Sequence, residues 1–218
     1  MSPASTETVS EHLSVAPASV SSMFGRLREM GFVEYERYHG AFLTERGLEE
    51  ALRLVRRHRL IESFLLEYLS YSWEEVHEEA ERLEHAVSDE FTERLAEMLG
   101  HPERDLHGDP IPRTDGTLDQ VASRPLTETT DGDCVRISHV DHEDASTLGF
   151  LEKRGLVPGR LLKVQEIRTV DGVVAVEDES GNSHSLGQPL ADLLFIQSLS
   201  ESDNQSGEQR HDGGTLAR

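Results

Sequence analysis

Cysteine is nearly absent from this chain. Cys134 stands alone, so neither an internal disulfide framework nor a cysteine-based zinc cluster is available. Long apolar runs are absent too. No stretch approaches the roughly 18 residues of a membrane-spanning helix, and Met1-Ser2-Pro3-Ala4-Ser5 lacks the charged and apolar regions of a secretory leader. The expectation is a cytoplasmic protein with no membrane partner. Basic residues are scarce: 21 Lys and Arg stand against 42 Asp and Glu, a formal net charge of −21, and the only lysines are Lys153 and Lys163. Residues 1–50, 51–100 and 101–218 each carry twice as many acidic as basic side chains, so none is a basic domain. That balance weighs against nucleic-acid binding by bulk electrostatics. It leaves such binding to a few well-placed arginines, or to salt that screens the repulsion. Acid in large excess with almost no lysine resembles the composition of proteins from salt-rich cytoplasms.

What the chain has is a concentration of metal-ligand chemistry. In His77-Glu78-Glu79-Ala80-Glu81-Arg82-Leu83-Glu84-His85, a helical turn of about 100° per residue brings His77, Glu81, Glu84 and His85 onto one face about 100° wide. Upstream, His58 and Glu62 form an i, i+4 pair on another predicted helix. Imidazoles and carboxylates from two helices suit a divalent metal that accepts nitrogen and oxygen donors. The ordinary alternative for each residue alone is a solvated glutamate-rich face.

Around this stretch the pattern resolves into elements. Residues 5–14 read as a short helix with Ser5 or Thr6 as cap. After a turn, Pro17 opens a second helix whose apolar stripe is Val20, Phe24, Leu27 and Met30, stopped by Gly31. Phe32–Tyr35 and Ala41–Thr44 read as strands of a hairpin turning at Tyr38-His39-Gly40. Helix, turn, helix, hairpin is the order of a winged helix-turn-helix. Pro17, Ser19, Ser21, Ser22 and Arg26 on the second helix, and Arg37 and His39 on the hairpin, are the candidate DNA contacts, Arg28 being a further phosphate candidate. Glu45 to about Tyr71 is helical and carries a run of Arg53, Arg56, Arg57 and Arg59, for which ion pairs with neighbouring acids outweigh DNA contact. Ser72 and Glu75 make a capping box opening the ligand helix, and Ser88 starts another that ends near Gly100. Residues 101–127 are rich in Pro, Gly and Asp and read as a linker. Beyond it, 134–137, 161–164, 173–176 and 184–186 are strand-like and 146–155 helical, which fits a small five-stranded barrel. The polar stretch 200–218 is expected to be disordered.

These residues resemble the diphtheria toxin repressor family of metal-dependent transcriptional regulators, close to its manganese-responsive branch. The resemblance lies in Arg57-His58-Arg59-Leu60-Ile61-Glu62, in Val76–Ser88, in His107-Gly108-Asp109-Pro110-Ile111-Pro112 and in Leu156-Val157-Pro158-Gly159. It implies an α+β protein with an N-terminal winged helix-turn-helix (1–49), a helical metal-binding and dimerisation domain (50–106), a linker (107–127) and a C-terminal SH3-like β-barrel (128–199). It further implies a homodimer on a double-stranded DNA operator, repressing metal-uptake genes. The metal ligands it implies are His58, Glu62, His77, Glu81, Glu84 and His85, and the metal is Mn²⁺, or alternatively Fe²⁺. Glu81 bears on that choice, because some iron-responsive relatives have cysteine there and a carboxylate is harder. The SH3-like domain supplies ligands in some relatives, and His139, His142 and Glu143 are the candidates here. The family also has a helix ahead of the helix-turn-helix that donates another ligand. Met1 falls directly before the first helix of the turn, so the expectation is a start assigned too late.

The rival readings are a metalloenzyme and a metal-binding protein without DNA binding. The chain lacks the zinc-protease pattern, since no histidine stands at position 81. A di-iron bundle needs two Glu-x-x-His pairs on facing helices; Glu74-x-x-His77 is one, and no second lies on a partner helix, position 82 being Arg.

Overall fold

A computed structural model describes residues 3–119, 122–141, 144–168 and 172–199. The expected tail at 200–218 and the candidates His142 and Glu143 lie outside the described residues. The chain divides into two compact units, Met1–His58 with Pro112–Leu118, and Arg59–Ile111 with Asp119–Arg218.

The first unit opens with α1 (Thr6–His12), whose Ser5 cap accepts the Thr8 N–H at 3.0 Å. Helix α2 (Pro17–Glu29) begins at its proline, whose missing N–H would have had no helical partner, and ends before Gly31 at φ +78°. Strands β1 (Val33–Glu36) and β2 (Gly40–Leu43) pair antiparallel from Val33↔Leu43 to Glu36↔Gly40, which makes the expected hairpin. A small core of Val20, Phe24, Val33 and Ala41 joins helix to hairpin, with the Phe24 and Tyr35 rings 5.2 Å apart. Thr44 accepts the Gly47 N–H at 3.0 Å and starts α3 (Glu45–Leu69). Gly47 has to be glycine, since a Cβ would sit 1.8 Å from the Phe32 carbonyl oxygen.

The second unit takes the later turns of α3, then α4 (Trp73–Glu84) and α5 (Asp89–Met98). Ile61, Leu65, Val76, Ala80 and Leu95 form one core between these helices, and Leu60, Ala96 and Ile111 form another. Ile111, in the stretch expected as a linker, is buried in this second core. After β3 (Arg124–Pro125) come β4 (Cys134–Val140), α6 (Ala145–Lys153), β5 (Leu161–Arg168), β6 (Val173–Asp178), β7 (Ser183–Gly187), α7 (Gln188–Ala191) and β8 (Leu194–Ser198). The strands form an antiparallel six-stranded sheet in the order β3-β8-β4-β5-β6-β7. The five-stranded expectation had no place for β3, too short for any periodicity, and omitted β8, whose apolar run carries no hairpin signal of its own. The β6–β7 turn is held by Asp178, which accepts the Asn182 side-chain amide at 2.9 Å and the Asn182 and Ser180 N–H groups, each at 2.9 Å; the Asn182 bonds above all keep its carboxyl well below the ordinary range. The large core of this sheet includes Ile137, Leu148, Leu151, Val164, Val176 and Ile196, and also Trp73 from α4.

Candidate metal centre

Helix α4 is set by its first turn. The Ser72 N–H and hydroxyl donate to Glu75 Oε2 at 3.2 and 2.8 Å, and these bonds hold the Glu75 carboxyl below its usual value. From that start the helix buries Trp73, Val76, Ala80 and Glu84 at helical spacing. His77 lies at the edge of the buried stripe, and Glu81 and His85 are exposed.

The face is therefore not one uniform site. His77 Nδ1 stands 3.2 Å from Oε1 of Glu62, which is buried on α3. His77 Nε2 stands 3.8 Å from Glu81 Oε1. His58 precedes Glu62 by one turn of α3. Glu84 and His85 form a separate neighbouring pair at 3.4 Å. Among the described residues, Glu81, Glu84 and His85 do not converge as a cluster of their own.

A second gathering shares Glu62. Ligand atoms of Glu62, Asp105 and His107 lie within 4.8 Å of one another, and Glu62 Oε2 is 3.9 Å from His107 Nδ1. The loop that brings Asp105 and His107 here is tied to α3 by Arg59. That guanidinium donates to the Pro110 carbonyl at 2.5 Å and pairs with Asp105 at 3.3 Å and Asp109 at 3.7 Å. Asp105 Oδ1 in turn accepts the His107 and Asp109 N–H groups, each at 2.9 Å. Burial, and next the Asp109 charge, push the Asp105 carboxyl up to about 7, against the pull of Arg59. Arg56 likewise donates to the Pro112 carbonyl at 3.0 Å. Asp105 and His107 lie in the Pro-, Gly- and Asp-rich stretch 101–127 expected as a linker, where local spacing gives no donor pattern. The usable signal was a histidine and two aspartates beside prolines, with an arginine run on α3 to receive them.

His139 stacks on Phe195 with ring centroids 4.5 Å apart, and burial lowers its pKa. On α2, Pro17, Ser19, Ser22 and Arg26 are exposed and Ser21 is half-buried, while Val20 and Phe24 take the core side. Arg37 and His39 are exposed on the hairpin, where Arg37 lies over the Tyr38 ring at 5.1 Å.

Chemically, the gathered donors are imidazole nitrogens and carboxylate oxygens, with no thiol. A buried carboxylate between histidines favours a bound cation over an empty apolar pocket, and this donor set fits a divalent ion of the manganese or iron type.

Comparison with known proteins agrees. Family models match residues 1–41 as the N-terminal DNA-binding domain of an iron-dependent repressor, 44–113 as its metal-binding and dimerisation domain, and 124–198 as a FeoA domain. The iron-dependent repressor IdeR of Mycobacterium leprae is 30% identical over 173 residues, covering 72% of this chain and 74% of that protein. The chain belongs to the diphtheria toxin repressor family. An uncharacterised HTH-type transcriptional regulator of Methanocaldococcus jannaschii is 42% identical over 93 residues, 43% of this chain and 74% of that one. A solved manganese-dependent transcriptional repressor in complex with manganese has a TM-score of 0.84 at 36% identity, covering 91% of this chain and 92% of its own. Membership makes the chain a metal-responsive, DNA-binding transcriptional regulator of α+β architecture and sets the metalloenzyme reading aside. Among the described residues no helix is long and apolar enough to cross a membrane.

Proposed function

We propose that this regulator is a Mn²⁺-activated homodimeric repressor of metal-uptake genes, with Fe²⁺ as the alternative activator. In this reading residues 1–49 read the operator, 50–106 bind metal and dimerise, and 128–199 form the SH3-like domain. The observation that carries it is the gathering on Glu62 of His77 at 3.2 Å and of Asp105 and His107 within 4.8 Å, nitrogen and oxygen donors without a thiol. His58, Glu62 and His77 hold one part of the site, extended by Asp105 and His107. Glu81, Glu84 and His85 hold the other. Bound there, a divalent cation supplies positive charge that offsets the carboxylates and links α3 to α4.

The residues themselves do the rest. Ser19, Ser22 and Arg26 share the exposed face of α2, and Pro17 leads into it, which suits a helix lying in the major groove with Arg37 and His39 of the hairpin on the backbone. Regulation is a population shift. The ligand set stabilises the arrangement of two recognition helices that matches one DNA turn, and only differential affinity for that arrangement drives the change. In a chain of net charge −21, lowering the carboxylate charge also lessens repulsion from phosphate.

The test is a mobility shift on DNA from the gene's own upstream region, at high salt, with chelator and then with Mn²⁺ or Fe²⁺, using wild type and Glu84→Ala. Binding that requires metal and is lost in the variant supports the reading and ranks the metals. Equal binding with chelator would sink metal activation.

A further inference from the structure

Trp73 occupies the first turn of α4, one turn before His77, and both project from the same side of the helix. It is nearly fully buried, and it belongs to the core of the C-terminal sheet together with Leu126, Ile137 and Leu148. Leu66 of α3 packs against the same core. The Trp73 ring meets the His107 ring edge to face, with centroids 4.7 Å apart at 86°. The backbone of His107 is held from the other side, where its carbonyl accepts the Val140 N–H of β4 at 3.0 Å. The next residue, Gly108, has φ +87°, and a Cβ there would sit 2.0 Å from the Ser138 carbonyl oxygen. His107 is thus clamped between an aromatic ring that anchors the C-terminal sheet and a strand of that sheet.

We infer that Trp73 is a positioning residue for His107, and that through it the C-terminal domain sets the affinity of the Glu62–Asp105–His107 donor group. This rests on the metal reading given above. Edge-to-face geometry fixes the plane of the imidazole, which decides whether its nitrogen faces Glu62. Linkage makes the effect reciprocal: a cation bound by these donors holds the C-terminal domain against α4 as firmly as that domain holds His107. The salt bridge of Glu74 to Lys153 of α6, 3.6 Å long and exposed, adds little to this docking.

Trp73 is the only tryptophan of the chain, so its emission reports this contact without competing signal. The experiment titrates Mn²⁺ into the full chain, following free Mn²⁺ by electron paramagnetic resonance and the tryptophan emission in parallel. Wild type, Trp73→Phe, Trp73→Leu and His107→Ala are compared, with far-UV circular dichroism to establish that each is folded. Trp73→Leu keeps an apolar, though smaller, side chain but loses the ring edge, and is expected to weaken Mn²⁺ binding about tenfold. Trp73→Phe retains an edge and is expected to stay within about threefold of wild type. Wild-type emission changes as Mn²⁺ binds, and in His107→Ala it does not. Wild-type affinity in Trp73→Leu, or emission unmoved while Mn²⁺ is taken up, would overturn the inference and leave the metal reading standing. If wild type takes up no Mn²⁺ at all, the metal reading fails and this inference with it.

Discussion

Glu62 and His85 stand on the same donor-rich pair of helices, yet Glu62 is 4% exposed and the His85 side chain 72%. At the Glu62 end, histidines from α4 and the 105–110 loop converge on one carboxylate, with Trp73 against His107 and Arg59 tying down the loop. At the other end Glu84 is buried, but Glu81 and His85 reach into solvent, with side chains 64% and 72% exposed. The side chains at the first end are held by packing. If the proposed site takes a metal, the second end would have to order flexible side chains, at an entropic cost of up to about 2 kcal/mol for a long side chain such as glutamate. The six proposed ligands therefore divide into a part held in place by packing and a part left open to solvent.

This difference is open to being broken. The largest effect is expected from Glu62→Ala, which removes the donor common to both gatherings. Mn²⁺ affinity, read by isothermal titration calorimetry, should fall by more than about a hundredfold, whereas His85→Ala at the open end should lose only about tenfold. Equal losses would show that preorganisation is not what separates the two ends. Next comes Gly108→Ala, which forces a Cβ against the Ser138 carbonyl at a positive φ. It should destabilise the fold by about 3 kcal/mol in urea denaturation, and so remove the clamp on His107.

The pH response of the metal-free protein sharpens the comparison at Asp105. Its carboxyl is raised from 3.8 to about 7, so the folded state holds the proton more tightly than the unfolded chain. Stability from this group is present below about pH 4 and is lost as pH rises toward 7. Thermal melts in chelator should fall across that window, and Asp105→Asn, which stays neutral, should flatten the fall. A slope that is unchanged in the variant would assign it to other groups. The smallest effect belongs to the hairpin. Arg37→Ala should weaken operator binding modestly and reduce the salt slope by about one, measured by fluorescence anisotropy across salt concentrations.

Helix faces were readable in the sequence because they depend on neighbours three and four residues apart. Ser72 and Glu75, the stripe Val20–Phe24, and the pairing of His58 with Glu62 all follow from local spacing. Asp105 and His107 were not readable as donors, although their segment was noticed, because nothing local says that a Pro- and Asp-rich stretch returns to α3. Arg59 shows the same limit. Its spacing placed it in a basic run, while its partners proved to be Asp105, Asp109 and the Pro110 carbonyl. Strand β8 was missed because pairing with β3 and β4 is non-local and its own residues show only a short apolar run.

By itself the sequence determined the order of elements from α1 to α5, the His- and Glu-bearing faces of α3 and α4 and the absence of cysteine from those helices, since each is a matter of residue type and short-range period. Only the tertiary structure decided that Glu62 faces both His77 and His107, that Trp73 of α4 belongs to the core of the C-terminal sheet, and that Ile111 and His107 of the proline-rich stretch are buried beside these helices. Those are contacts between residues far apart in the chain, and they arise because burying Trp73, Leu60 and Ile111 removes apolar surface from water in a way that no local pattern encodes.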